Sequence, residues 1–366
     1  MRNVFLRLLN LLELYYGYYR NKFILNELVF FVTYKCNFRC KTCFYADIMD
    51  DKGTIDTVKE LDIDEIGKTS SSIGKFDQLL ISGGEPFLRD DLAEICEIFY
   101  LQNRINRIHL PTNGFYTEKI YSSTLKILDR CPKIHLSIGL PLDGLQETHD
   151  KIKGVKGSFE KIIETTKRLS TLKKEFDNLS TYIITVVNKT NLNEIIELAE
   201  FVKNNLPVNG HGPSPMRGSP YEKTVLSPSY EEWNVLSKEL MEYYNYWNKK
   251  STSNSYKSFI ADNAVRYLYK MYTRVLKGER LPFKCQAGKV VGVLESNGDV
   301  KLCELTGVIG NVRSVNYDFR KIWFSDKGND MRKRIKDCTC THACFLYPSI
   351  KMNPFALINS YLFGRL

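Results

Sequence analysis

The chain has 366 residues, of which 43% are hydrophobic, 26% charged and 12% aromatic, and its net charge is +10. This length corresponds to about two to two and a half domains, and the composition is that of a globular protein, which excludes collagenous, low-complexity and disordered classes. No run of 18 apolar residues occurs, which excludes a membrane-spanning helix. Lysines and arginines are spread along the chain, which favours solvated helix faces over a nucleic acid partner.

Both ends of the chain are predicted to be amphipathic. Residues 1–26 carry leucines and aromatic residues at helical spacing. The tail at 349–366 has Asn353 as a predicted cap and Pro354 at the first helical position. The N-terminal segment lacks a small-residue cleavage site, which disfavours a secretory signal. The protein is therefore expected in the cytoplasm, where these segments either lie on the membrane surface or pack on the rest of the chain.

From residue 27 onward, predicted strands and helices alternate. The strands cover residues 27–33, 76–82, 105–112, 134–138 and 181–187, and the helices cover 90–101, 117–129, 158–174 and 192–204. Five or six such units predict a parallel sheet. Because eight units are needed to close a barrel, the predicted fold class is α/β, with a partial (β/α)6 TIM-like barrel whose chemistry lies at the C-terminal ends of the strands.

The alternating pattern stops after residue 206. The Pro- and Gly-rich stretch 207–220 predicts a loop or linker, and a helical stretch follows from 230 to about 277, broken at 251–255. In the last ninety residues, Asn297-Gly298-Asp299 between two short apolar runs predicts a hairpin within a separate unit. The predicted domains are the N-terminal segment 1–26, the barrel 27–220, a helical connector 221–280, a small unit 281–348 and the tail 349–366.

The ten cysteines are grouped, which favours metal ligation over disulfides. Cys36, Cys40 and Cys43 follow the first predicted strand with the spacing C-x3-C-x2-C. Three thiolates on one loop can bind three irons of a [4Fe–4S] cube and leave the fourth iron open to substrate or cofactor. Zinc with a fourth ligand from elsewhere is the alternative, since thiolates suit both metals. Cys96 and Cys131 are interpreted as buried thiols.

Three motifs at successive strand ends resemble the radical SAM superfamily. They are the loop Cys36-Asn-Phe-Arg-Cys40-Lys-Thr-Cys43, the run Ser82-Gly83-Gly84-Glu85-Pro86 and the run Thr112-Asn113-Gly114. The resemblance covers roughly residues 28–217. It implies an enzyme in which S-adenosylmethionine chelates the open iron and is cleaved to a 5′-deoxyadenosyl radical, which takes a hydrogen atom from the substrate.

The resemblance also implies a set of cofactor-binding residues. They are Phe44, Gly83, Gly84, Glu85, Asn113 and Ser137. The glycines and Glu85 would receive the methionine amino group, because glycine allows close backbone approach and a carboxylate suits an ammonium group. Phe44 would lie near the adenine, and Ser137 would reach the ribose or carboxylate region.

Three further residues keep two interpretations each, and no catalytic residue is assigned. Lys153 stands where similar proteins usually carry an arginine, and it is a weaker cofactor candidate because lysine cannot grip a carboxylate bidentately. His149 is either a general base or a capping or core histidine. Arg217 either faces the mouth of the barrel or lies on the surface.

The C-terminal cysteines resemble the SPASM extension of radical SAM enzymes, or its shorter twitch form. The spacing is C-x12-G-x4-C from Cys285 to Cys303, followed by Cys338-x-Cys340-x3-Cys344. The resemblance implies one auxiliary [4Fe–4S] cluster, because a full SPASM domain binds two and needs more cysteines than are present. The implied ligands are Cys285, Cys303, Cys340 and Cys344, with Cys338 either spare or exchanged with Cys340. Structural zinc is the alternative.

The sequence therefore predicts a radical SAM enzyme with one auxiliary cluster, supplied with electrons by a donor such as flavodoxin or ferredoxin. The predicted substrate is a sugar, a polyol or a lipid-linked molecule, because the segment before the first strand is too short for the leader-binding domain of peptide-modifying relatives. The first alternative is a maturase of a ribosomally made peptide. The second is a non-catalytic iron–sulfur electron-transfer protein, which the Gly-Gly-Glu-Pro motif disfavours.

Overall fold

The computed structural model describes residues 25–46, 59–250 and 256–353, together with positions 355, 356, 358 and 359 of the tail. The predicted amphipathic helix at 1–26 lies almost wholly outside these residues, as does half of the tail 349–366. Within the tail, the backbone N–H of Ala356 donates to Asn353 Oδ1 at 3.0 Å, which agrees with Asn353 as a cap. No helix in the described part of the chain is long and apolar enough to cross a membrane.

A sheet of nine strands organises the protein. The strands are β1 Glu27–Phe31, β2 Gln78–Ser82, β3 Arg107–Pro111, β4 His135–Pro141, β5 Leu179–Val187, β6 Gly210–Pro215, β7 Val291–Leu294, β8 Asp299–Lys301 and β9 Val308–Asn311. Their order is β6-β5-β4-β3-β2-β1-β7-β8-β9. The pairs from β6 to β7 are parallel, and β8 and β9 are antiparallel additions. The described strands do not close on themselves, which confirms the open α/β barrel.

Eleven α-helices are found among the described residues. They are α1 Ile63–Ile73, α2 Leu92–Asn103, α3 Thr117–Arg130, α4 Gln146–Lys153, α5 Ser158–Leu172, α6 Ile195–Asn205, α7 Tyr230–Lys250, α8 Tyr256–Leu276, α9 Phe319–Trp323, α10 Asp326–Ile335 and α11 Ala343–Lys351. The sequence pattern did not predict α1 and α4 in the barrel or α9, α10 and α11 in the C-terminal part. The buried face of α1 includes Thr69 and Ser70, so its apolar periodicity is weak.

Two apolar clusters form on opposite faces of the sheet. Strand β1 is buried along its whole length, and alternation along it points Phe30 and Phe31 to different faces. Phe30 joins the large cluster that also contains core residues of α2, α3 and α5. Phe31 joins a second cluster with Val293 of β7 and Phe345 of α11. Helix α11 therefore packs against the inner face of the barrel, whereas α9 joins the large cluster on the outer face through Phe319 and Trp323.

The stretch 207–220, predicted as a loop, contains a strand instead. Strand β6 pairs with β5 in parallel from Tyr182↔Gly210 to Val187↔Pro215. Proline cannot donate a ladder hydrogen bond, and for that reason Pro213 and Pro215 argued against a strand. They are tolerated because β6 is the edge strand of the sheet. A sixth parallel strand thereby completes the six βα units.

The C-terminal residues extend the same sheet rather than forming a second one. Strand β7 pairs in parallel with β1, from Glu27↔Val291 to Phe30↔Leu294. The predicted hairpin is confirmed, since β7 and β8 are antiparallel and Gly298 has a φ of +89° at the turn. The predicted division into domains stays a prediction.

A buried ion pair connects α1 to the segment that follows β9. Arg313 donates through Nε and one terminal nitrogen to both oxygens of Glu65, at 2.7 and 2.8 Å. The hydroxyl of Tyr317 donates to the same carboxylate at 2.9 Å. The hydrogen bonds from Arg313 lower the pKa of Glu65 to about 2, against an ordinary value of 4.5.

We expect the Glu65→Gln substitution to lower the free energy of unfolding by about 2 kcal/mol at pH 7, because a charged bidentate contact is lost. The pKa of Glu65 is lower in the folded than in the unfolded chain, so its contribution is present above pH 4.5 and is lost as the pH falls toward 2. Urea unfolding of both proteins between pH 7 and pH 3 measures this. Glu164→Gln, in an exposed pair with Lys161, is the control and should change little. A difference between Glu65→Gln and the parent that is independent of pH would contradict the assignment.

Candidate functional site

The three motifs lie at the C-terminal ends of three adjacent strands. The cysteine loop follows β1, the Gly-Gly-Glu-Pro run follows β2 and the Thr-Asn-Gly run follows β3. Because β1, β2 and β3 are parallel neighbours, all three motifs meet at one edge of the sheet. The three motifs, which are separated in the sequence, therefore lie close together in the structure.

The cysteine loop is held in place by backbone hydrogen bonds. Cys36 Sγ accepts from the N–H of Phe38, and Cys43 Sγ accepts from the N–H of Tyr45, each at 3.4 Å. The loop is anchored to α4 where the N–H of Lys41 donates to the carbonyl of Ile152 at 2.8 Å. These contacts place N–H donors on two of the three thiols.

The surroundings of the thiols favour metal ligation over free acid–base chemistry. Burial raises the pKa of Cys36 to about 11 and that of Cys40 to about 12. The positive charge of Lys153 opposes this rise at Cys40 and Cys43. Thiols of this kind lose their protons when a metal binds. N–H donors and a nearby cation stabilise bound thiolates, so these residues fit an iron–sulfur cluster.

The glycine pair exists because the backbone approaches too closely for a side chain. Gly83 has a φ of +127°, and a Cβ there would lie 2.4 Å from the carbonyl oxygen of Thr33. A Cβ on Gly84 would lie 2.1 Å from the carbonyl oxygen of Lys35. The N–H of Gly84 donates to Thr33 and that of Glu85 to Lys35, each at 2.8 Å. The Gly-Gly-Glu run is therefore fastened to the residues that lead into Cys36.

The carboxylate of Glu85 joins the second motif to the third. Its Oε2 accepts from the N–H of Asn113 at 2.6 Å, and its Oε1 accepts from the hydroxyl of Thr112 at 2.8 Å and from the N–H of Phe87 at 3.2 Å. Burial raises the pKa of Glu85 to about 7 although these donors oppose the rise. The side chain is 1% exposed and already engaged by protein donors. Its contact with a methionine amino group stays a prediction.

Asn113 connects the third motif to the cysteine loop. Its Nδ2 donates to Oδ1 of Asn37 at 2.7 Å, and its Oδ1 accepts from the N–H of Phe115 at 3.0 Å. Asn37 immediately follows Cys36. Glu85 and Asn113 therefore form a continuous link across all three motifs.

Phe44 and Ser137 occupy different parts of the barrel. The ring of Phe44 lies beside the guanidinium of Arg217, 5.0 Å from the ring centroid, at the mouth of the barrel. Ser137 lies deeper, where its hydroxyl contacts His109 Nδ1 at 3.2 Å. It lines a cavity of about 320 Å³ with Gln78, Arg107, Ile108, His109, His135 and Tyr182. Both residues remain predicted cofactor contacts, and the structure groups only Phe44 with the cysteine loop.

Lys153 and His149 both contact Asp143, in the loop between β4 and α4. Lys153 Nζ lies 2.6 Å from Asp143 Oδ2, and both side chains are buried. His149 Nδ1 accepts from the N–H of Asp143 at 3.0 Å, and burial lowers the pKa of His149 to about 3. These contacts favour the core-histidine interpretation of His149. Asp143 was missed because a single aspartate after a strand carries no motif.

The second group of cysteines is assembled from three separate segments. Cys285 lies before β7, Cys303 follows β8, and the remaining three precede or begin α11. Cys285 Sγ accepts from the N–H of Ala287 at 3.5 Å. The pKa of Cys303 is raised by burial against a backbone hydrogen bond from Leu305. The pattern of N–H donors two residues after the thiol repeats that of Cys36 and Cys43, and it fits a second cluster.

Cys338 and Cys340 differ in their surroundings. Cys338 is exposed, whereas Cys340 is partly buried. Cys340 receives a backbone hydrogen bond from His342, again two residues later. This difference favours Cys340 as a ligand and Cys338 as the spare thiol.

No three Cys, His, Asp or Glu side chains in the described ranges are close enough together to hold a single metal ion.

A buried network of charged and polar side chains lies between the two cysteine groups. Two of its members, Glu304 and His342, were not predicted from the sequence. Glu304 Oε2 contacts His342 Nε2 at 2.8 Å and a terminal nitrogen of Arg217 at 3.5 Å. Glu304 follows Cys303, and His342 lies between Cys340 and Cys344. Arg217 therefore faces the mouth of the barrel, as one of its two interpretations held. Adjacency to predicted ligands was the signal that could have identified Glu304 and His342.

Comparisons with known proteins agree with these motifs. Residues 30–202 match the family model described as the radical SAM superfamily. The chain is 33% identical over 132 residues to an Fe-coproporphyrin III synthase of Methanosarcina barkeri, covering 35% of this chain and 30% of that protein. It is 27% identical over 188 residues to a cysteine-type anaerobic sulfatase-maturating enzyme of Clostridium novyi, covering 46% and 45%. The chain spans less than two thirds of the first curated relatives it matches, from 30% to 64% of their lengths.

Two groups of solved structures share the fold. The structure of Streptococcus suis SuiB bound to the precursor peptide SuiA aligns with a TM-score of 0.60 and 17% identity, covering 97% of this chain and 76% of that one. The structure of anSMEcpe with bound AdoMet and a peptide aligns with a TM-score of 0.57 and 16% identity, covering 93% and 98%. At these identities the likeness concerns the fold. Residues 30–202 therefore form a radical SAM domain, and the chain continues past it into a C-terminal extension.

Proposed function

We propose that this protein is a radical SAM enzyme that uses one auxiliary [4Fe–4S] cluster to modify a peptide. The carrying observation is the link from Glu85 through Asn113 to Asn37, which holds the three cofactor motifs together beside the cysteine loop. An electron-transfer protein has no need of this arrangement. The radical SAM family binds a [4Fe–4S] cluster and S-adenosylmethionine, and the cysteines for the cluster are present.

The residues of this chain would hold the cofactors as follows. Cys36, Cys40 and Cys43 would hold the first cluster. When bound and reduced, this cluster and S-adenosylmethionine would together supply a 5′-deoxyadenosyl radical that abstracts a hydrogen atom from the substrate. The close backbone approach at Gly83 and Gly84 fixes the Gly-Gly-Glu run against the residues that lead into Cys36, where this run would receive the methionine end of the cofactor. Reduction requires a one-electron donor such as flavodoxin or ferredoxin.

The C-terminal extension would hold the auxiliary cluster. Its ligands would be Cys285, Cys303, Cys340 and Cys344, of which Cys285, Cys303 and Cys344 border the apolar cluster that contains Phe31. The auxiliary cluster would receive the electron released when a substrate radical is oxidised. Glu304, paired with His342 and Arg217, is a buried carboxylate directly after the proposed ligand Cys303.

The mouth of the barrel suits a peptide better than a polyol. Leu305 and Tyr221 are exposed there. Phe44 packs beside the Arg217 guanidinium and against Gly218. An apolar rim around one guanidinium can receive an apolar side chain and a peptide carbonyl. Relatives and solved neighbours include the subtilosin biosynthesis protein AlbA of Bacillus subtilis and structures with bound peptides. They give the predicted sugar, polyol or lipid-linked substrate no support.

The test is release of 5′-deoxyadenosine by the anaerobically reconstituted, reduced protein with S-adenosylmethionine. Peptide, lipid and small-metabolite fractions of the source cells are added separately. We expect stimulation by the peptide fraction, abolished when that fraction is digested with protease beforehand. Cys40→Ser is the control that should give no product with any fraction. Stimulation that survives protease, or that comes only from lipid or metabolites, would contradict the peptide substrate.

A further inference from the structure

A second buried polar network connects the first cysteine loop to the hairpin that carries Cys303. Glu295, at the end of β7, is 1% exposed and pairs through Oε1 with Lys301 Nζ at 2.6 Å. Its Oε2 accepts from the hydroxyl of Tyr45, and more distantly from that of Tyr34 at 3.4 Å. Nothing in the proposed chemistry uses these four residues.

The position of Tyr45 makes this network relevant to the first cluster. The hydroxyl of Tyr45 contacts Glu295, while its backbone N–H donates to Cys43 Sγ at 3.4 Å. Lys301 lies two residues before Cys303, so the same network borders the auxiliary ligands. One residue thus touches a ligand of the first cluster with its backbone and the auxiliary hairpin with its side chain.

Apolar packing alone does not explain why position 45 carries a tyrosine hydroxyl. Tyr45 is 4% exposed, and its ring already stacks on Phe31 with centroids 4.6 Å apart. A phenylalanine would keep that stacking but would remove a donor from the buried Glu295 carboxylate, whose burial costs free energy unless it is paired and hydrogen-bonded. The hydroxyl therefore fixes the orientation of this segment.

We propose that Tyr45 is a positioning residue whose hydroxyl, held by Glu295, fixes the N–H···S bond to Cys43 and thereby sets the reduction potential of the first cluster. This rests on the proposed function, because it requires a cluster at Cys43. N–H donors stabilise the additional negative charge of a reduced cluster. Loosening this donor therefore shifts the potential to more negative values.

The test compares Tyr45→Phe with the parent in the reconstituted holoenzyme. An EPR-monitored redox titration measures the cluster whose signal changes when S-adenosylmethionine is added, which identifies it as the first cluster. We expect a more negative potential and a several-fold faster hydrogen–deuterium exchange of the segment 40–46. Tyr317→Phe is the matched control, because it removes a tyrosine hydroxyl from an ion-paired glutamate remote from the cysteines, and it should change neither quantity.

A second variant separates positioning from charge. Glu295→Gln keeps an acceptor for the Tyr45 hydroxyl but removes a negative charge, so a smaller shift than that of Tyr45→Phe supports positioning. An unchanged potential and exchange rate in Tyr45→Phe, or a shift found only in Glu295→Gln, would overturn the proposal. If the parent itself forms no cluster that responds to S-adenosylmethionine, the proposed function fails, and the claim about potential fails with it. Exchange in the cluster-free protein then decides whether Tyr45 holds the loop.

Discussion

We expect Glu85→Ala to lower the rate of 5′-deoxyadenosine release by about 100-fold, the upper range for a residue that orients ligands of a metal site. The carboxylate accepts from the N–H of Asn113, the hydroxyl of Thr112 and the N–H of Phe87. Its removal leaves these donors without an acceptor in a buried place, which we expect to lower the free energy of unfolding by about 3 kcal/mol. The Asn113 contact to the cysteine loop then loses its support.

Two variants separate this linking role from a general loss of acidic charge. Glu85→Gln keeps the shape of the side chain but turns an NH₂ group toward one of the donors, so its rate should fall between those of the parent and Glu85→Ala. Glu94→Ala removes an exposed carboxylate on α2 and should leave product release and stability unchanged. Product release and anaerobic urea unfolding are measured on each. Parent-like rates in Glu85→Ala would show that the link is dispensable.

We expect Cys340→Ser to lose about half of the protein-bound iron after reconstitution, because one of the two proposed clusters would lose a ligand. Cys338→Ser, two residues away, should keep the full iron content. The expectation rests on the partial burial of Cys340, the backbone hydrogen bond it receives from His342, and the exposure of Cys338. Iron and sulfide analysis with Mössbauer spectroscopy measures the cluster content of each variant.

The paired variants also test the kind of metal at this site. Loss of zinc rather than iron from Cys340→Ser would support the structural-zinc alternative and remove the auxiliary cluster from the proposed function. Loss of iron from Cys338→Ser alone would exchange the roles of the two thiols. Cys96→Ser, at a buried thiol on α2, should retain both clusters and serves as the control for loss of any cysteine.

Short-range patterns were sufficient to predict the cofactor motifs. The cysteine loop, the glycine pair and the Thr-Asn-Gly run each consist of consecutive residues, and each directly follows an apolar strand. The parallel order of β1, β2 and β3 then follows from the βα repeat. The role of Glu85 as a link was not predicted, because its partner Asn113 is distant in sequence and the resemblance implied only a contact with the methionine amino group.

The edge strand β6 and the buried polar networks could not be predicted from the sequence, for different reasons. Strand β6 was missed because its glycines and prolines predict a turn, and only its place at the edge of the sheet makes them tolerable. Glu304, His342 and Glu295 carry no periodic signal. Their meaning arises from contacts between segments far apart in the chain, which no local pattern encodes.

By itself the sequence determined the α/β class, the radical SAM motifs and the two groups of cysteines, because each depends on residue spacing within a few turns or strands. Only the tertiary structure decided that β7 joins the barrel sheet beside β1. That pairing places the auxiliary hairpin next to the first cysteine loop and brings Glu295 to Tyr45. Strand order at the end of a sheet is set by the burial of whole faces and by long-range hydrogen bonding, and these are properties of the folded chain rather than of any one segment.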